Sequence, residues 1–165
     1  MKQKRRSWPV DPKFIYGIFL VAIGLWCLLI VAAPLFAAHD YPSLAGIIYF
    51  FFHKICHQIP ERSFFLWGKQ LAVCSRCTGL YLGFWLAALV YPLLFRLKQV
   101  IYPPRWILWL AVVPIAFDLF ADALGVLENS FLSRLISGII LGGAALFFVL
   151  PGLLSMHNQH QSTHY

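Results

Sequence analysis

The sequence predicts an all-α fold: a polytopic membrane helix bundle of four transmembrane helices plus one short re-entrant or interfacial helix. Three observations carry this. Hydrophobic residues make up 61% of the chain and charged residues 12%, with a mean hydropathy of +0.75; a soluble domain carries about 25% charged and about 45–50% apolar residues. The apolar residues are gathered in runs, most of them near the roughly 20 residues that cross a bilayer core. Much of the basic charge sits beside those runs, as topology determinants do. The same distribution argues against nucleic acid as the partner of a net charge of +7; the expected partner is the lipid bilayer. The chain's 165 residues suffice for one small bundle and no second domain.

Residues 1–13 form a basic head with Lys2, Lys4, Arg5, Arg6 and Lys13. The head resembles a signal-peptide n-region, but the apolar run behind it exceeds the roughly 7–15 residues of an h-region, so a retained first span is expected over 14–38. Residues 44–59 begin apolar, are too short there to cross, and run into His53, Lys54, Cys56 and His57. This is the interfacial helix, viable at membrane depth only where protein or water satisfies its polar groups. Residues 60–70 are a polar connection. The second span covers 74–95, with Cys74, Arg76 and Cys77 at its start and Pro92 placed to kink it. A basic, proline-broken loop follows, with Arg96, Lys98 and Arg105. The third span, 106–125, contains Asp118, Asp122 and a kinking Pro114. Asn129 or Ser130 can cap the fourth span, 131–154, whose first turn holds Arg134. Residues 155–165 are a polar tail containing histidines.

Positive charge orients the bundle. Lys2, Lys4, Arg5, Arg6, Lys13, Arg96, Lys98 and Arg105 share one side; Lys54, Arg62, Lys69, Arg76 and Arg134 share the other. The richer side is cytoplasmic. This places both termini in the cytoplasm of a protein of the cell membrane. Scattered polar residues then converge on the extracytoplasmic face: His53, Cys56, His57, Cys74, Arg76, Cys77, Asp122, Glu128, Asn129 and Arg134.

The stretch 53–79 holds three of the four cysteines and two of the six histidines. Cys74 and Cys77 form a C-x-x-C pair at a helix N-terminus, where the helix dipole and Arg76 lower a thiol pKa. His53, Cys56 and His57 lie at i, i+3 and i+4, so a helix there would put both histidines on one face with Cys56 at its border. Cys56, His57, Cys74 and Cys77 offer a tetrahedral zinc site, the softer of two sets, with His53 as the alternative ligand. The bland counterparts are packed cysteines and an interfacial histidine. Asp118 and Asp122 stack on one face of the third span. An acid within a span costs about 2.5–3.5 kcal/mol, which points to a polar cavity with Arg134 or Arg76 as counter-ion. A register-fixing buried ion pair is the competing account. Cys27, alone in the first span, is a core residue. The stripes Gly79-x-x-x-Gly83, continued by Ala87, and Gly138-x-x-x-Gly142 are packing faces, between spans two and four or in a homo-oligomer.

The motifs Cys56-His57-Gln58-x-Pro60-Glu61-Arg62-Ser63-Phe64 and Cys74-Ser75-Arg76-Cys77-Thr78-Gly79-Leu80-Tyr81-Leu82-Gly83 resemble a family of small bacterial and archaeal membrane proteins, domain-of-unknown-function family 2085. Asp118 and Arg134-x-x-Ser137-Gly138 fit the same pattern, and the resemblance covers residues 50–143. It implies that Cys56, His57, Arg62, Cys74, Arg76, Cys77, Asp118 and Arg134 are the site residues, and it implies no activity. The expectation is a metal-binding membrane protein that could act as a metal-dependent enzyme on a membrane-associated substrate, with Asp118, Arg134 and Arg76 at its substrate pocket. The alternatives are a quinone-coupled thiol–disulfide oxidoreductase, for which His57 and Arg62 have no role, and an ion or small-molecule transporter lined by Asp118 and Asp122.

Overall fold

A computed structural model describes residues 11–95, 103–124 and 130–160. Lys2 to Arg6, Arg96, Lys98, Glu128, Asn129, the end of the tail and the Asp122 side chain lie outside the described part. The chain runs through α1 (Pro12–Ala38), α2 (Pro42–His53), a 3₁₀ turn (Pro60–Arg62), β1 (Phe65–Leu66), β2 (Lys69–Gln70), α3 (Ser75–Leu94), α4 (Trp106–Ala123) and α5 (Phe131–His160). Among the described residues the fold is all-α apart from a hairpin of two-residue strands. Lys13–Ala38, Ser75–Leu94 and Phe131–Ser155 are long and apolar enough to cross a membrane. α4 contributes a shorter apolar stretch, Trp106–Asp118.

Asp11 caps α1 by accepting from the Lys13 backbone N–H at 3.1 Å, and Pro12 opens the helix, where its missing N–H costs nothing. Ser130 caps α5, its Oγ accepting from the Ser133 N–H at 3.1 Å. α5 runs on to His160, six residues past the expected end of the fourth span.

Prolines inside the helices tie the bundle together. A proline at position i has no N–H for the carbonyl at i−4. Pro34 in α1 thereby frees the Ile30 carbonyl, and the Ala72 N–H from the segment before α3 reaches it at 3.4 Å. Pro92 in α3 frees the Ala88 carbonyl, and the Tyr16 hydroxyl of α1 donates to it at 2.7 Å. Freed groups in a membrane are re-satisfied by neighbouring elements, and here that requirement docks α1 on both ends of α3.

The small-residue stripes bring α3 and α5 into backbone contact. A Cβ added to Gly79 would stand 2.2 Å from the Leu135 carbonyl oxygen, and one added to Gly142 would stand 2.0 Å from that of Leu80. Only glycine fits there. The faces on which a homo-oligomer contact was expected are therefore used within one chain. Two buried clusters fill the interior. Tyr91, Ala88, Leu146, Leu150 and Leu154 pack at the end of α3 remote from Cys74. Phe52, Cys56, Ile30, Ala33 and residues 71–73 pack at the other end. Apolar side chains such as Leu28, Ile47, Leu93, Trp109 and Phe117 cover the outside, as contact with lipid requires.

The interfacial helix is shorter than expected. α2 stops at His53, and the chain turns through Lys54 and Ile55, with the Cys56 N–H still bonded to the Phe52 carbonyl at 2.9 Å. Gln58 has φ +51° and sits in the left-handed region. The common helical face of His53 and His57 therefore does not form. The expected polar connection is ordered: Trp67 (φ +51°) and Gly68 (φ +71°) turn the hairpin, both with the positive φ that a type I′ turn requires.

Candidate metal centre

The centre is built from a loop and a helix start. Two side-chain amides shape the loop. Gln58 Nε2 donates to the Tyr49 carbonyl at 2.9 Å and to the Ala72 carbonyl at 2.8 Å. Gln70 Nε2 donates to the Gln58 carbonyl at 2.7 Å and the Ser63 hydroxyl at 3.0 Å. These bonds clamp the loop carrying Cys56 against the segment leading into α3. Cys74 then stands at the N-cap of α3 and Cys77 one turn inside it.

The sulfurs of Cys56, Cys74 and Cys77 all lie within 4.8 Å of one another, and none is in a disulfide. Cys56 is buried, and its Sγ accepts from the Cys74 backbone N–H at 3.2 Å. At Cys74, the N-cap residue just ahead of the apolar stretch Ser75–Leu94, hydrogen bonding from Cys56 and then from Cys77 holds the thiol well below its ordinary range. Burial opposes this, and the N–H groups of Cys77 and Arg76 at the open helix end add to it.

A cavity of about 240 Å³ adjoins the thiols, with His57, Arg62, Arg76 and Arg134 among its lining. Behind it, Asp118 is buried between helices. It accepts from Ser133 Oγ at 2.8 Å and Ser137 Oγ at 3.1 Å, and Arg76 Nη2 lies 3.8 Å from its Oδ2. That separation is an ion pair rather than a hydrogen bond. Asp118 thus pairs with Arg76, one of the two counter-ions expected. His57 reaches the cavity wall. The His57 and His53 rings lie outside the group of mutually close metal-ligating atoms, and His53 is exposed at the end of α2.

The family model described as "Predicted membrane protein (DUF2085)" matches residues 56–148. The chain belongs to this family. The matched interval begins at Cys56 and takes in Cys74, Cys77, Arg62, Arg76 and Arg134. The DUF2085 chain is similar to an uncharacterised protein of Methanocaldococcus jannaschii, 34% identical over 149 residues that cover 87% of this chain and 96% of the relative. It is also similar to an uncharacterised protein of Methanothermobacter thermautotrophicus, 35% identical over 108 residues covering 62% of this chain and 93% of that one. No solved structure matches.

Four residues of this DUF2085 protein that hold the site together were not singled out from sequence: Gln58, Gln70, Ser133 and Ser137. Gln58 and Ser137 lie inside the quoted motifs, a signal that was present. Gln70 and Ser133 carried none, because their partners are backbone carbonyls and a carboxylate brought near only by folding. Cys27 is half-buried in α1, with its Sγ 3.7 Å from the Tyr81 carbonyl, a packing position apart from the centre.

Proposed function

We propose that the protein is an integral membrane metalloprotein in which Cys56, Cys74 and Cys77 hold zinc, with the fourth position open to the adjoining cavity. The convergence of three thiols from two segments carries this reading. Zn–S bonds of about 2.3 Å in a tetrahedral site put sulfurs about 3.8 Å apart, so the cluster needs only a small contraction. Three thiolates suit a thiophilic metal. His57, at the cavity wall, is the ligand that would close the site; a water or substrate there leaves it open, as catalytic zinc sites are. Bound zinc would supply Lewis acidity and an activated water for a metal-dependent reaction on a membrane-associated substrate.

The proposed placement is the extracytoplasmic face of the cell membrane, in a four-span bundle over 14–154 with both termini cytoplasmic. The sequence's basic-residue asymmetry supports it.

Elemental analysis and thiol titration of protein purified in detergent test the centre. One zinc per chain, lost on Cys77→Ser and retained on His57→Ala, is the expected result. Zinc lost on His57→Ala would close the site and make the metal structural. A metal-free Cys74–Cys77 disulfide that reoxidises with quinone would establish the oxidoreductase alternative instead.

A further inference from the structure

Three arginines line one small cavity, and they come from three elements: Arg62 from the 3₁₀ turn, Arg76 from the first turn of α3 and Arg134 from the first turn of α5. The last two occupy the unfavourable end of their helices, since a helix N-terminus carries a positive partial charge that disfavours cations. Arg134 is only 8% exposed. Arg76 Nε is buried and has no hydrogen-bond partner among the described residues. The nearby carboxylate, Asp118, faces Arg76 from behind and is shared with the two serines. The three arginines bring three positive charges to the lining of one small cavity. Concentrated positive charge at two helix N-termini is the arrangement that receives an anion.

We infer that the cavity binds a phosphate group, inorganic or borne by a lipid headgroup, through Arg62, Arg76 and Arg134. Guanidinium forks match phosphate and carboxylate oxygens alike. A carboxylate has two oxygens to offer, whereas a phosphate monoester has three terminal oxygens and up to two charges, enough for three arginines and a metal. The inference deepens the zinc reading and rests on it for one contact, an anion oxygen at the open zinc position; the arginine cradle stands without it.

Calorimetric titration of zinc-loaded protein in a phosphate-free detergent tests this, with inorganic phosphate, dioctanoyl phosphatidic acid and acetate as separate probes. One or both phosphate probes bind, and acetate binds at least tenfold more weakly. Binding of inorganic phosphate assigns a free anion; binding of phosphatidic acid alone assigns a lipid headgroup. Arg134→Gln and the more exposed Arg62→Gln each weaken binding tenfold or more. Phosphate binding by unmutated protein that holds no zinc keeps the cradle while the zinc reading fails; phosphate binding that persists in metal-free Cys77→Ser protein shows that the cradle stands without the metal. Stoichiometric zinc with neither phosphate probe bound overturns the inference while the zinc reading stands. Equal binding of acetate, or unchanged binding in folded Arg62→Gln protein, overturns it as well.

Discussion

Gln58 touches no sulfur, yet it holds the backbone of Tyr49 and Ala72 on either side of the loop that presents Cys56. Partners at this remove tune a metal site by orienting its ligands, and their loss costs about 10–100-fold in metal affinity. Gln58→Ala is expected to weaken zinc binding within that range with all three thiols intact, as measured by competition with a chromogenic chelator; unchanged affinity would remove Gln58 from this role. Asp118 offers the complementary case. Removing the carboxylate strands Arg76 and two hydroxyls in an apolar setting. Asp118→Ala is expected to cost about 3 kcal/mol of stability, the low end for breaking a buried pair. Asp118→Asn, which keeps an acceptor for the serines, is expected to cost less in the same thermal unfolding measurement.

Between helices, the decisive feature is how closely α3 and α5 approach. A methyl group at Gly142 would meet the Leu80 carbonyl at 2.0 Å, whereas at Gly143 the nearest atom is 3.8 Å away. Gly142→Ala is therefore expected to lower stability by about 3 kcal/mol through forced separation of the helices. Gly143→Ala, one residue on, is expected to be neutral or better because alanine favours helix. Equal melting temperatures for the two variants would contradict the backbone contact. The α1–α3 junction yields a second test. Tyr16→Phe leaves the Ala88 carbonyl unpaired and is expected to cost about 1–3 kcal/mol. In a Pro92→Ala background the helix supplies its own N–H to that carbonyl, so the cost of Tyr16→Phe should shrink. A double-mutant cycle without coupling would show that the hydroxyl does not serve the proline's vacancy.

At the scale of the molecule, the N-terminus of α3, the last turns of α4 and the N-terminus of α5 meet at one end of the bundle, and the loop after α2 brings Cys56 to the same place. The proposed topology puts that end outside the cell. An alkaline phosphatase reporter fused after Arg62 is expected to be active, and one fused after His160 inactive; an inactive reporter after Arg62 would place the centre in the cytoplasm.

The helices are legible in the sequence wherever a long apolar run dominates. Hydrocarbon admits only backbone whose hydrogen bonds are closed within the segment, so length and polarity alone place α1, α3 and α5. Glycine spacing likewise announced the α3–α5 face. The expectation failed over residues 44–59, where a short apolar run leading into His53, Cys56 and His57 suggested one helix and the chain instead leaves it at His53. Side-chain amides there outbid the helical ladder for backbone carbonyls, and their partners lie as far away as Ala72. The candidate site divides along the same line. The C-x-x-C spacing, Cys56 and the intramembrane Asp118 stand out singly, because each is costly or reactive where it sits. That Cys56 meets Cys74 and Cys77 without the two histidines, that Asp118 pairs with Arg76, and that three arginines share one cavity depend on contacts between residues distant in the chain. Local composition decides which segments enter the membrane; only the packing of those segments decides which polar side chains meet.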